Sequence, residues 1–157
     1  MFSRTGFQAL GLVISAVALC SQTAANDPEI VRLLARLQLE PRNTQLCEQI
    51  GLAYTRLEDF DQAAVFYRKA LQIDPRRISA EKNLGTVLWF AGHKAESIGI
   101  FAALEKRIPQ DPVPPFYLGL AAFEQKDFRK AAALLERAGP LASANPEVAP
   151  VLIEADL

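Results

Sequence analysis

Residues 50–77 read IGLAYTRLEDFDQAAVFYRKALQIDPRR. Apolar side chains at Ile50, Tyr54 and Leu57, then at Ala63, Phe66, Tyr67, Ala70 and Leu71, recur at the three-and-four steps of helices that each bury one stripe. Between the stripes Glu58-Asp59-Phe60-Asp61 reads as a turn, and Pro75 stops the second helix. The stretch is a helical hairpin. Gly51 and Ala63 are small where its two helices are expected to cross, since a side chain larger than a methyl would hold the backbones apart.

Working outward, the same pattern returns twice at one constant spacing with no insertion. Gly51, Gly85 and Gly119 superpose, as do Pro41, Pro75 and Pro109. Each glycine follows an aliphatic residue (Ile50, Leu84, Leu118) and precedes Tyr54, Leu88 or Ala122. A small residue comes later at Ala63, Ser97 and Ala131, then a bulky one at Tyr67, Phe101 and Leu135, then Ala70, Leu104 and Ala138. Ala91-Gly92-His93-Lys94 is the turn of the middle hairpin and Pro109 ends its second helix.

Residues 44–145 thus resemble three consecutive tetratricopeptide (TPR) units, whose signature is a leucine-glycine-aromatic group, an alanine-to-phenylalanine step and a closing proline. The resemblance implies an all-α, right-handed solenoid of helix-turn-helix hairpins, with units at 44–77, 78–111 and 112–145. Residues 26–43 are expected to form an N-terminal capping helix, because LQLEP at 37–41 mirrors LQIDP at 71–75. Residues 146–157 sit where a fourth unit would begin and are expected to form a short helix or a partial repeat. Asp27-Pro28, Asp111-Pro112 and Asn145-Pro146 each place a capping residue before a proline, marking helix starts.

Residues 1–25 read differently. Arg4 and an uncharged run at 9–20 (ALGLVISAVALC), followed by small polar residues, have the form of a secretory signal peptide cut after Ala25, with a cut after Cys20 as the alternative. The run is too short for a spanning helix, which needs about 20 apolar residues. The expectation is export to the periplasm or another extracytoplasmic space, as in bacterial TPR proteins, with an uncleaved membrane anchor as the alternative. A lipidated Cys20 is disfavoured by Leu19, which stands where the lipoprotein pattern wants a small residue. Arg4 is the only charged side chain in the segment, so its loss moves the net charge from −1 to −2.

Composition narrows the function. Seventeen basic against 18 acidic residues create no field for phosphate backbones or anionic lipid, so nucleic acid is a poor partner. With one histidine, His93, in a turn, no catalytic triad or histidine metal site can be built. Cys47 reads as a buried thiol, and glycines one repeat apart make no phosphate loop. No enzyme, cofactor, metal or small-molecule substrate is expected. Asp61, Gln62, Arg68, Lys69, Arg129 and Lys130 read as a solvated outer face.

The resemblance also implies where a partner would sit. In such solenoids the first helices line a concave face, and the inward positions here are Gln45, Glu48, Leu52, Thr55 and Arg56; Ser79, Lys82, Thr86, Trp89 and Phe90; and Val113, Phe116, Leu120, Phe123 and Glu124. Leu52, Arg56, Lys82, Thr86, Trp89, Phe90, Phe116, Leu120 and Phe123 are the candidate groove for a protein or peptide. Their aromatic members either anchor a partner or pack as core, and the sequence leaves both readings open. A chaperone-type carboxylate clamp is not expected, because its positions hold Glu48, Leu52, Asn83, Val113 and Tyr117 and only Asn83 fits. The competing class is a structural module: a homodimer joined through the C-terminal end, or part of a longer repeat array.

Overall fold

The computed structural model describes residues 26–145 and Val148. The segment read as a signal and most of residues 146–157 lie outside them. Among the described residues the secondary structure is entirely helical: α1 (Pro28–Leu39), α2 (Thr44–Arg56), α3 (Phe60–Ile73), α4 (Ile78–Phe90), α5 (Lys94–Arg107), α6 (Val113–Glu124), α7 (Phe128–Ala138) and α8 (Pro140–Ser143). The chain divides into two compact units, one ending at Arg76 and the other beginning at Arg77.

In the first unit, α1 starts where Asp27 accepts hydrogen bonds from the Glu29 and Ile30 N–H groups at 2.8 and 3.2 Å, with Pro28 at the first helical position. It buries Ile30 and Leu37. Asn43 caps α2 by accepting from Leu46 N–H, and Asp59 caps α3 by accepting from Gln62 N–H. The Asp59 cap shortens the turn relative to the sequence reading, since α3 already begins at Phe60. In the hairpin of α2 and α3, a Cβ on Gly51 would stand 2.9 Å from the Tyr67 ring. The glycine therefore makes room chiefly for the bulky residue of the facing helix, one turn beyond the small residue expected opposite it. Thr55 donates to Gly51 O at 2.8 Å and is hydrogen-bonded to the Tyr67 phenol. Cys47 is fully buried here, and burial pushes its thiol pKa up.

In the second unit, α4 with α5 and α6 with α7 form two hairpins of the same design. A Cβ on Gly85 would stand 2.8 Å from the Phe101 ring, and one on Gly119 would stand 2.7 Å from the Leu135 side chain. Phe101, Leu104, Tyr117, Ala131, Leu135 and Ala138 belong to one core. The turn residues Glu58, Gly92 and Lys126 occupy the same repeat position, and all three have positive φ (57°, 84° and 61°). Gly139 (φ 54°) ends α7 at Ala138, so the second helix of this hairpin is shorter than α3 or α5. The chain then folds back through α8, placing Ala142 and Val148 in the same core. The expected burial of Leu152 and Ile153 against Leu135 and Ala138 lies outside the described residues.

Candidate protein-binding surfaces

The candidate groove residues fall in both units. In the second, α4 carries Lys82, Thr86, Trp89 and Phe90, and α6 carries Phe116, Leu120 and Phe123. Pro112, Pro114 and Pro115 start α6 and Asp111 accepts from Val113 N–H at 2.9 Å, which fixes the angle of entry. Seven of the twelve residues of α6 are buried, including Tyr117.

Tyr117 is the centre of the aromatic cluster. Its ring stacks on Phe101 (centroids 4.5 Å apart, 2° between planes), meets Phe116 edge-on at 5.2 Å, and lies 5.6 Å from Trp89 at 59°. Its phenol is hydrogen-bonded to Thr86, and burial pushes its pKa up. Trp89 is half-buried, held against this core on one side, while Lys94 Nζ lies 4.9 Å from its ring centroid. Lys94 is also paired with Glu124. Phe123 is half-buried and packs edge-on against Phe128 at 5.7 Å. Leu120 is partly buried against the same core.

Of the candidates in this unit, Trp89, Thr86 and Phe116 converge on Tyr117. Phe116, 7% exposed, is core and supports the surface from below. Phe90 is 59% exposed. Lys82 is half-buried and joined to Asp111 by a 2.7 Å ion pair. Burial alone would raise the Asp111 pKa. The Lys82 hydrogen bond, the Val113 N–H and the Lys82 charge outweigh it and leave the carboxyl below its ordinary value. Lys82 is thus a restrained cation, already matched.

Leu52 and Arg56 lie in the first unit, where they line a different feature. Together with Gln49 of α2 and with Glu29, Arg32, Leu33 and Arg36 of α1, they enclose a cleft of about 500 Å³. Glu29 lies 3.4 Å from Arg56, an open pair with both side chains about half exposed. The sequence reading misses Tyr117 as the hub, because its repeat position points only to a clamp residue. It also misses Arg32 and Arg36, whose four-residue spacing on α1 is a legible signal of a shared face.

Among the described residues no cluster of three or more histidine, cysteine or acidic side chains could hold a metal, and no helix is long and apolar enough to cross a membrane. The family model for the tetratricopeptide repeat matches residues 46–77. Among solved structures, MamA 41-end from Desulfovibrio magneticus RS-1 has a TM-score of 0.70 at 19% identity, over 93% of this chain and 85% of that one. Yeast Tom70 matches with a TM-score of 0.55 at 21% identity, over 74% of this chain and 24% of that one. A chain of a T3SS complex from Aeromonas hydrophila has a TM-score of 0.55 at 20% identity, over 83% and 91%. No curated protein matches it in sequence.

Proposed function

We propose that this chain, which carries tetratricopeptide repeats, is a non-catalytic scaffold that binds a peptide or partner subunit through the α4–α6 face of its second unit. The observation that carries the reading is the half-buried pair Trp89 and Phe123, set on rigid helices around Leu120 and supported by the Tyr117 core. Aromatic anchors held in place before binding lose little freedom on association, which is the character of interface hot spots. With Lys82 and Lys94 each joined to a carboxylate, the face suits a hydrophobic or mixed ligand.

The test is partner capture by the full chain and by a Trp89→Ala, Phe123→Ala variant of unchanged helical content. Each truncation is expected to cost about 2 kcal/mol, roughly 30-fold in affinity. A photo-crosslinker replacing Leu120 should trap the same partner that one replacing the exposed Glu136 on α7 misses. Equal trapping at both sites would move binding away from this face.

In this reading the scaffold works outside the cytoplasm, with residues 1–25 serving as a signal removed after Ala25. Terminal sequencing that finds Met1 on an exported, membrane-held protein would replace cleavage with an anchor. A second mode, self-association through the C-terminal end, is favoured by the composition of residues 146–157, which carry three acidic side chains and no cation beside Val148, Val151, Leu152 and Ile153.

A further inference from the structure

The cleft in the first unit is unlike the aromatic face. Arg32 and Arg36 line it from α1 and Arg56 from α2, together with Leu33 and Leu52. Three guanidinium groups share this hollow with one carboxylate, Glu29, whose contact with Arg56 is long and open to solvent. Arg32 makes a 3.2 Å hydrogen bond to its own helix, Nε to Pro28 O, which leaves its terminal NH2 groups for a ligand. Arg36 also borders a second hollow of about 110 Å³ with Asn43, Gln45, Leu46 and Gln49. Among the described residues no carboxylate pairs with Arg36. The cleft therefore offers forked donors for carboxylates together with two leucines.

A ligand that fits has two acidic side chains next to an aliphatic run and no cation. Residues 151–157 of this chain, VLIEADL, have that composition, with Glu154 and Asp156 following Val151, Leu152 and Ile153. Nine residues follow Val148, the last described position, and fully extended they span about 30 Å. From Glu29 to Arg36 the cleft runs only about 10 Å along α1. The segment is long enough to fill it and leave a connection.

We propose that this cleft receives residues 151–157 of a second copy, Glu154 and Asp156 pairing with Arg32 and Arg36 while Leu152 and Ile153 lie on Leu33 and Leu52. Donor and acceptor are different surfaces, so copies join either by exchanging tails reciprocally in a closed dimer or by adding head to tail. The proposal rests on the self-association reading above and is independent of the aromatic face.

The experiment is sedimentation of the full chain, with three variants. The unaltered chain is expected to associate with rising concentration, and to associate less as salt is raised. Arg32→Glu with Arg36→Glu should weaken association about tenfold or more, and so should Glu154→Lys with Asp156→Lys. Mixing these two variants restores the native pairing in one direction, acidic tail into arginine cleft, and a charge-reversed pairing in the other, lysine tail into glutamate cleft. Mixed oligomers should form at the concentration where neither variant associates alone. This rescue separates a loss of pairing from a loss of folding. A synthetic peptide of residues 146–157 should bind the full chain and not the Arg32→Glu, Arg36→Glu variant. Association that ignores both charge reversals would overturn the cleft assignment while leaving self-association in place. A monomer at every concentration would overturn both. The third variant lacks residues 149–157. If the full chain stays monomeric at the working concentration and the peptide binds only this shortened chain, the protein's own tail fills the cleft, and the second-copy contact is overturned.

Discussion

Ser97 donates a 2.7 Å hydrogen bond to the carbonyl oxygen of Gly85 across the α4–α5 hairpin, and the serine is fully buried. The absent Cβ of Gly85 would meet the Phe101 ring at 2.8 Å. One glycine thus accommodates two partners, a hydroxyl on its carbonyl and a ring over its Cα. Gly85→Leu should lower stability by about 1–3 kcal/mol or more, because Phe101 is itself fully buried and cannot swing clear. The same change at exposed Gln62 should stay within about 0.5 kcal/mol. Ser97→Ala should cost about 1 kcal/mol without collapse, since alanine already stands at the matching positions 63 and 131. Thermal unfolding of the three variants checks the order; equal midpoints for Gly85→Leu and Gln62→Leu would refute the close approach.

The turn position shared by Glu58, Gly92 and Lys126 gives a test of opposite sign. Left-handed φ costs a non-glycine residue about 1 kcal/mol, and Lys126 and Glu58 are exposed. Lys126→Gly should therefore raise stability by about 0.5–1 kcal/mol, the gain being reduced by glycine's greater freedom in the unfolded chain. Gly92→Ala should lower it by a similar amount. Denaturant midpoints, with unchanged slopes, are the measurement.

Tyr117 supports Trp89 and also satisfies Thr86. Tyr117→Phe keeps the stacking on Phe101 but removes the hydroxyl, and should cost about 1 kcal/mol. Tyr117→Ala removes the hub and should cost about 3–5 kcal/mol. Partner capture should survive the first change and be lost with the second, although Tyr117 is buried and 8% exposed.

The Lys82–Asp111 pair predicts a pH dependence. Asp111 has a lowered pKa in the folded chain, so its contribution is fully present above the unfolded value of about 3.9 and is lost as pH falls through the folded value. Asp111→Asn should flatten stability against pH in that acid range and leave the curve above about pH 5 parallel to that of the unaltered chain. With the two side chains 29% and 21% exposed, solvent screens part of the attraction and the effect is modest.

The fold was legible because repetition amplifies weak local signals. A single Gly51 or Pro75 marks little, but three glycines and three prolines at one period leave a helical-hairpin array as the consistent reading. Capping by Asp27 was equally local, since it needs an acceptor two or three residues from a free N–H. The groove was less legible. Position in the repeat assigned Trp89, Phe116 and Phe123 to one face. Which of them is core depends on how far the neighbouring helix reaches, and that is not written in spacing.

By itself, then, the sequence determined the hairpins: the helix periods, the small residues at their crossings and the caps and prolines that bound them follow from contacts within a few turns of chain. Tertiary structure decided how side chains distant in sequence share space. It set Gly85 under Phe101, made Tyr117 the point where Phe101, Phe116 and Trp89 meet, and drew Arg32, Arg36 and Arg56 from two helices around one hollow. The reason is physical: periodicity fixes the direction in which a side chain leaves its own helix, whereas its burial, partners and charge environment depend on the helix packed opposite.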